Sequence, residues 1–209
     1  LFRSAGERLV KSLSVDQITA GWSKYADKTQ SVQTIMAATR KDFEDTREQM
    51  EYVNDQLDKL NWFTDETSYN FLEMVNNIGK FTNNNIKLDN AVTDMQGIST
   101  WAALAGANSN EASRAMYNLS QAVSVGAVKL QDWKSIENAN MATAEFKETA
   151  METAKELGIL SDEYEILQMT ADKYSGDKFV DVANFSQTLS SGWFTADVLE
   201  KTLAKYGAF

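Results

Sequence analysis

The 209 residues suffice for one or two domains with sizeable apolar cores, and 43% hydrophobic residues at a mean hydropathy of −0.40 are ordinary for a globular chain. Proline, cysteine and histidine are all absent, which excludes disulfides, thiolate chemistry, zinc sites of the usual kind and every mechanism that depends on imidazole. The net charge of −10 disfavours nucleic-acid binding, which draws on a basic stripe to displace counterions from phosphates.

The chain starts at Leu1, and LFRSAGERLVKSL lacks the basic start, apolar middle and small-residue cleavage site of a signal peptide, so it reads as an excerpt of a longer protein. Phe2, Leu9 and Leu13 share one helical face, with Arg3, Arg8 and Lys11 elsewhere. Two readings stand, an interfacial membrane helix and, the plainer one, the end of an upstream helix. No window reaches the roughly 18 uninterrupted apolar residues of a membrane span, and a soluble segment is expected.

Ser14 with Gln17 three residues on, flanked by Leu13 and Ile18 as a hydrophobic staple, predicts a helix from Val15. A 4-3 spacing then runs through Ile18, Trp22, Tyr25, Thr29, Val32, Met36, Thr39, Phe43, Thr46, Met50, Val53, Leu57 and Leu60, the period of a coiled-coil seam. Three threonines in the seam and the run Ala37, Ala38, Thr39 leave two alternatives open: one rod to Leu60, or a hairpin that breaks near Thr39. Either needs a cover for its apolar stripe. Lys41 to Glu66 carries nine acids against three bases, a local net charge of −6, and is expected to be a solvated helix face.

Shorter helices follow. Thr64 or Asp65 is expected to cap a helix over Tyr69 to Lys80, and Asn83, Asn84, Asn85 to form a loop. Asp89 to Ala105 is periodic at Val92, Met95, Ile98 or Ser99, and Ala102, with Gly106 as its stop. Asn108 with Glu111 forms a capping-box pattern ahead of a buried stripe at Ala112, Ala115, Met116, Leu119, Ala122 and Val123, ended by Gly126. Helices are predicted over Trp133 to Ala144, Ala144 to Leu157 and Asp162 to Lys173, with Gly158 and Ser161 as stop and start. SGDKFVDV reads as a short extended segment. Trp193, Phe194 and Thr195 repeat the WFT of Trp62, Phe63 and Thr64, and the echo reads as one helix-entry chemistry used twice. Trp133 is expected to anchor a core.

The run NNIGKFTNNNIKLDNAVTDMQGISTWAALAGANSNEASRAMYNLSQAVSVGAVKLQDWKSIENANMATAEF, from Asn76 to Phe146, resembles the N-terminal domain of phage tail tape measure proteins. The resemblance extends to GWSKYADKTQSVQTIMAAT from Gly21, LNWFTDETSYNF from Leu60 and SGWFTADVLEKTLAKYGAF from Ser191, and is nearest to the type found in siphophages and prophages of Gram-positive bacteria. FTDETSY stands where many such proteins carry a Thr-Pro-Phe helix start. GAVKLQDWKSI matches a family turn and helix, with Gln131 a weaker cap than the serine often found there, so some loosening is expected at that end.

The resemblance implies a structural protein of the virion that occupies the tail lumen, sets tube length with tail assembly chaperones and tail tip proteins, and leaves ahead of the genome. It implies self-association of three-fold or six-fold order, contact with tail tube proteins, no specific nucleic acid, and host membrane contact during ejection. The expected fold is all-α: a heptad-patterned region over residues 1–60, then a compact helical tape measure domain over 61–209. Even fully extended, the chain would span only on the order of 310 Å, so an assembly, tip-docking or self-association domain is expected here and the ruler elsewhere.

Enzymatic readings fare poorly. A lytic transglycosylase pattern would want a Glu-Ser pair and a later Gly-x-Met-Gln, whereas Glu73 precedes Met74 and Met95-Gln96 lacks the glycine. Asp172, Ser175, Gly176 and Asp177 lack the carboxylate spacing and closing glutamate of a calcium loop. Asp162 and Glu163 read as first-turn helix acids. No catalytic, cofactor-binding or metal-ligating residue is assigned, and no cofactor. The competing classes are an all-α adaptor without a length-setting role and a membrane-active ejection segment.

Overall fold

The computed structural model describes residues 29–67, 71–83, 85–171 and 173–207. Within them nine α-helices pack as a bundle: α1 (Thr29–Thr39), α2 (Thr46–Asp65), α3 (Phe71–Asn83), α4 (Leu88–Ala105), α5 (Ser109–Val125), α6 (Leu130–Asn138), α7 (Ala144–Glu156), α8 (Phe185–Thr188) and α9 (Ala196–Gly207). The predicted helix start at Ser14 and the seam residues Ile18, Trp22 and Tyr25 lie outside the described residues, as do Phe2, Leu9 and Leu13.

The unbroken rod to Leu60 is corrected. α1 ends at Thr39, a 3-10 turn covers Arg40–Asp42, Phe43 is extended, and Asp45 opens α2 by accepting the Arg47 N–H at 2.6 Å. Thr39 makes the break durable: its hydroxyl donates to the Ile35 carbonyl and accepts from the Gln49 amide, which also reaches the Met36 carbonyl. Those bonds bury Gln49 in place of the expected Met50, while Val53, Leu57 and Leu60 keep their seam positions. The longest helix is α2, 20 residues or about 30 Å. The boundary expected after residue 60 falls inside α2, and the Leu60 side chain joins the same apolar core as α3 to α9.

Helix ends follow local chemistry. Asn85, Gly106, Asn140 and Gly158 adopt left-handed backbone, and after each the next N–H reaches back to the last turn: Ile86 to Phe81, Ala107 to Ala102, Met141 to Ile136, Ile159 to Ala154. Asn140 is why α6 stops at Asn138 and not at Ala144; at its other end α6 starts at Leu130, and the Asp132 carboxylate takes the Lys129 N–H. Thr143 then caps α7.

Two further expectations are overturned. Thr64 and Asp65 lie in the last turn of α2, where the Thr64 hydroxyl donates to the Asn61 carbonyl, so the first WFT ends a helix whereas the second opens α9, where Thr195 accepts the Val198 N–H. The helix over Asp162 to Lys173 is absent: the described residues between Gly158 and Asn184 form an irregular strap. Ser161, expected to cap a helix, uses its hydroxyl to hold the N–H groups of Glu163 and Glu165 in a tight turn with Tyr164 left-handed. The chain then returns in short antiparallel pairings, Leu160 with Ile166 and Glu165 with Phe179, with Ile166 and Val180 buried. Part of the predicted SGDKFVDV stretch is thus extended.

The core is aromatic at its centre. Trp101 stacks on Phe146 at 3.6 Å between centroids, Trp133 packs on Phe185 at 4.8 Å, and Trp193 stacks on Phe194 at 5.3 Å. Trp133 is fully buried, the anchor its sequence setting predicts. The broadest helix contact joins α4 to α9, where Gly97 lets the backbones approach so closely that a Cβ would run into the Leu203 carbonyl.

Candidate functional site

The acids between Lys41 and Glu66 are all exposed, so this run is the solvated face that its sequence predicts. Against that negative surface one region stands out. α3 and α5 form a polar groove of about 320 Å³ lined by Asn77, Lys80, Ser113, Arg114, Tyr117 and Asn118, two cations and no carboxylate. It continues past Asn110 into a second hollow of about 260 Å³ that reaches Ser135 and Asn138 on α6 and is lined by Glu111 as well as Arg114.

The groove exists because α5 is two-faced. Ala112, Ala115, Met116, Leu119 and Ala122 are buried as the sequence predicts, Val123 only partly, which turns Asn110, Arg114, Tyr117 and Asn118 outward. The capping box fixes the start of the helix: the Asn108 side chain accepts from the Glu111 N–H and the Glu111 carboxylate from the Asn108 N–H, at 3.0 and 2.8 Å. Lys80 donates to Asn77 at 3.2 Å and lies 4.5 Å over the Tyr117 ring. Tyr117 accepts from Gln121, leaving its own proton for a ligand, and the Nδ2 of the buried Asn77 makes only long contacts, 3.5 Å to Ser113 and 3.9 Å to the Met116 sulfur. The hollow thus offers donors and positive charge, a setting for carboxylates or similar anions. Sequence reasoning missed it. The available signal was the i, i+4, i+7 placement of Asn110, Arg114 and Tyr117 opposite the alanine stripe.

A second unusual group is Asp94 on α4, 2% exposed, with one carboxylate oxygen lacking a partner among the described residues. Burial, and then the negative charge of Glu200 on α9, push its carboxyl up to about 8. Glu200 is itself raised by burial and by Asp197. Among the described residues Trp133 Nε1 is the other buried side-chain polar atom without a partner; Trp101 and Trp193 donate to the Met141 carbonyl and to Thr188.

The remaining sequence candidates stay apart. Glu73 is exposed on α3, Met95 is core, and Asp162 and Glu163 sit exposed in the Ser161 turn. Asp177 caps the Phe179 N–H, and Asp172 lies outside the described residues. Among the described residues no group of three or more acids is arranged to hold a metal ion, and no helix is long and apolar enough to cross a membrane. Comparison with protein-family models, with curated proteins and with solved structures finds no match to this chain.

Proposed function

We propose that this chain is a segment of a phage tail tape measure protein that acts in assembly, by tip docking or self-association, and not as the ruler itself. The observation that carries the reading is where the resembling motifs meet. GAVKLQDW and SGWFTADV, separated by some sixty residues, pair in space: the Val128 N–H donates to the Phe194 carbonyl at 2.9 Å, the Ala196 N–H to the Gly126 carbonyl at 2.8 Å, and Trp133, Trp193 and Phe194 share one aromatic core. The residues behind the resemblance therefore specify a folded domain. A bundle whose longest helix is about 30 Å supports a head domain over a length-setting rod. On this reading its partners are other copies, tube and tip proteins and tail assembly chaperones, and its place is the tail lumen.

The test is tail length by electron microscopy in particles whose parent gene lacks residues 29–207 in frame. Loss of tails, or tubes of uncontrolled length, supports the reading. Uniform shortening by on the order of 270 Å, about 1.5 Å per residue removed, would place the segment in the ruler. Normal tails would overturn the tape measure reading and leave the adaptor.

A further inference from the structure

We propose that the Lys80–Arg114 groove receives the acid-flanked Trp62 of a second copy of this chain, joining copies head to tail. The proposal rests on the tape measure reading only for its biological setting; its chemistry stands on the two surfaces.

Trp62 is 64% exposed at the end of α2, although a tryptophan side chain has the most to gain from burial. Helical spacing places Asp55, Asp65 and Glu66 on its face, all exposed, with Lys59 the one base among them. That is an apolar knob ringed by negative charge. The groove is its complement: Arg114 and Lys80 supply the positive charge, Tyr117, 43% exposed, supplies an aromatic wall, and no carboxylate lines it. A volume of about 320 Å³ is at the small end of ligand pockets, roughly 300–1,000 Å³, and suits one large side chain with flanking carboxylates better than a cofactor. Arg114 has no acidic partner among the described residues, so its charge is available to an incoming carboxylate and its plane to the indole.

Knob and groove belong to different elements, α2 in one case and α3 with α5 in the other. Used head to tail and not exchanged reciprocally in a two-fold pair, the contact is heterologous, and repeats of it close into a ring or continue as a filament. A charged rim around an aromatic anchor is also the usual anatomy of a specific interface.

Sedimentation equilibrium of the 209-residue chain at low and high salt tests this. The wild type is expected to associate in a concentration-dependent way that weakens with salt. Trp62→Ala and the pair Lys80→Glu with Arg114→Glu should each weaken association about tenfold or more, with unchanged circular dichroism because all three positions are exposed. The decisive sample mixes the Lys80→Glu/Arg114→Glu chain with an Asp55→Lys/Asp65→Lys/Glu66→Lys chain, in which opposite charges are restored across copies and mixed assemblies should return. A chain that is monomeric at all concentrations and salts overturns the proposal, as does association indifferent to these changes or a charge-swapped pair that stays apart. Such a failure alongside tail loss in the 29–207 deletion would remove this interface and leave the assembly reading standing.

Discussion

Replacing Asp94 by Asn tests whether α4 and α9 enclose a carboxyl that the fold keeps protonated. A carboxyl whose folded value lies above its unfolded value holds its proton more tightly in the native state, so ionisation works against folding. Stability from this group is full below about pH 4, falls as pH rises toward 8, and is level above. From the ordinary 3.8 to pH 7 is about 3 pH units at 1.36 kcal/mol each, so taking up the proton that the buried carboxyl holds costs roughly 4 kcal/mol at pH 7. Asparagine stays neutral throughout but brings an amide that needs a partner where Asp94 Oδ2 has none, a cost of about 1–3 kcal/mol. The variant should therefore be less stable than wild type near pH 4 and more stable by about 1–3 kcal/mol at pH 7, with the curves crossing between about pH 4.5 and 6. Urea denaturation followed by circular dichroism from pH 4 to 8 measures both curves, and titrating groups other than the neighbouring Glu200 cancel in their difference. Parallel curves across that range would refute the enclosure of Asp94.

The α4–α9 crossing gives a second prediction: Gly97→Ala forces the Leu203 backbone away and should cost about 1–3 kcal/mol, a thermal midpoint drop of several degrees. Gly126→Ala meets nothing within 4 Å, so its cost, about 1 kcal/mol by calorimetry, should come from its φ of +95° alone. Asn108→Ala removes one half of the α5 capping box and should cost about 1 kcal/mol in urea melts, whereas Asn108→Asp should retain most of it. Trp133→Ala, at the centre of the aromatic core, should cost about 3–5 kcal/mol by the same measurement.

Much of the architecture was legible in the chain because its signals are local. The capping box at Asn108, the stops at Gly106, Gly126 and Gly158 and the alanine stripe of α5 each depend on a few neighbouring residues and on backbone sterics, and each appears where the spacing puts it, whereas the spacing left rod and hairpin open and the contacts of Thr39 decide for the break. Ambiguity entered where one local chemistry serves two structures. A serine ahead of acidic residues suits a helix cap or a tight turn, and only the pairing of Glu165 with Phe179 selects the turn at Ser161. WFT likewise closes α2 and opens α9, because burial of Thr64 and pairing of Phe194 with Val128 are long-range events.

The sequence by itself determined an all-α chain without thiol or imidazole chemistry, the helix ends at Gly106, Asn108, Gly126 and Gly158, the acidic solvated face and the core role of Trp133, since these follow from residue type and spacing. Tertiary structure alone decided that Asp94 is sealed against Glu200's helix, that Gly97 meets Leu203, and that Lys80 and Arg114 from separate helices share one groove while Trp62 stays outside. Helical periodicity says which face of an element is apolar; what that face meets depends on how the elements pack, and charge environments and cavities arise only from that packing.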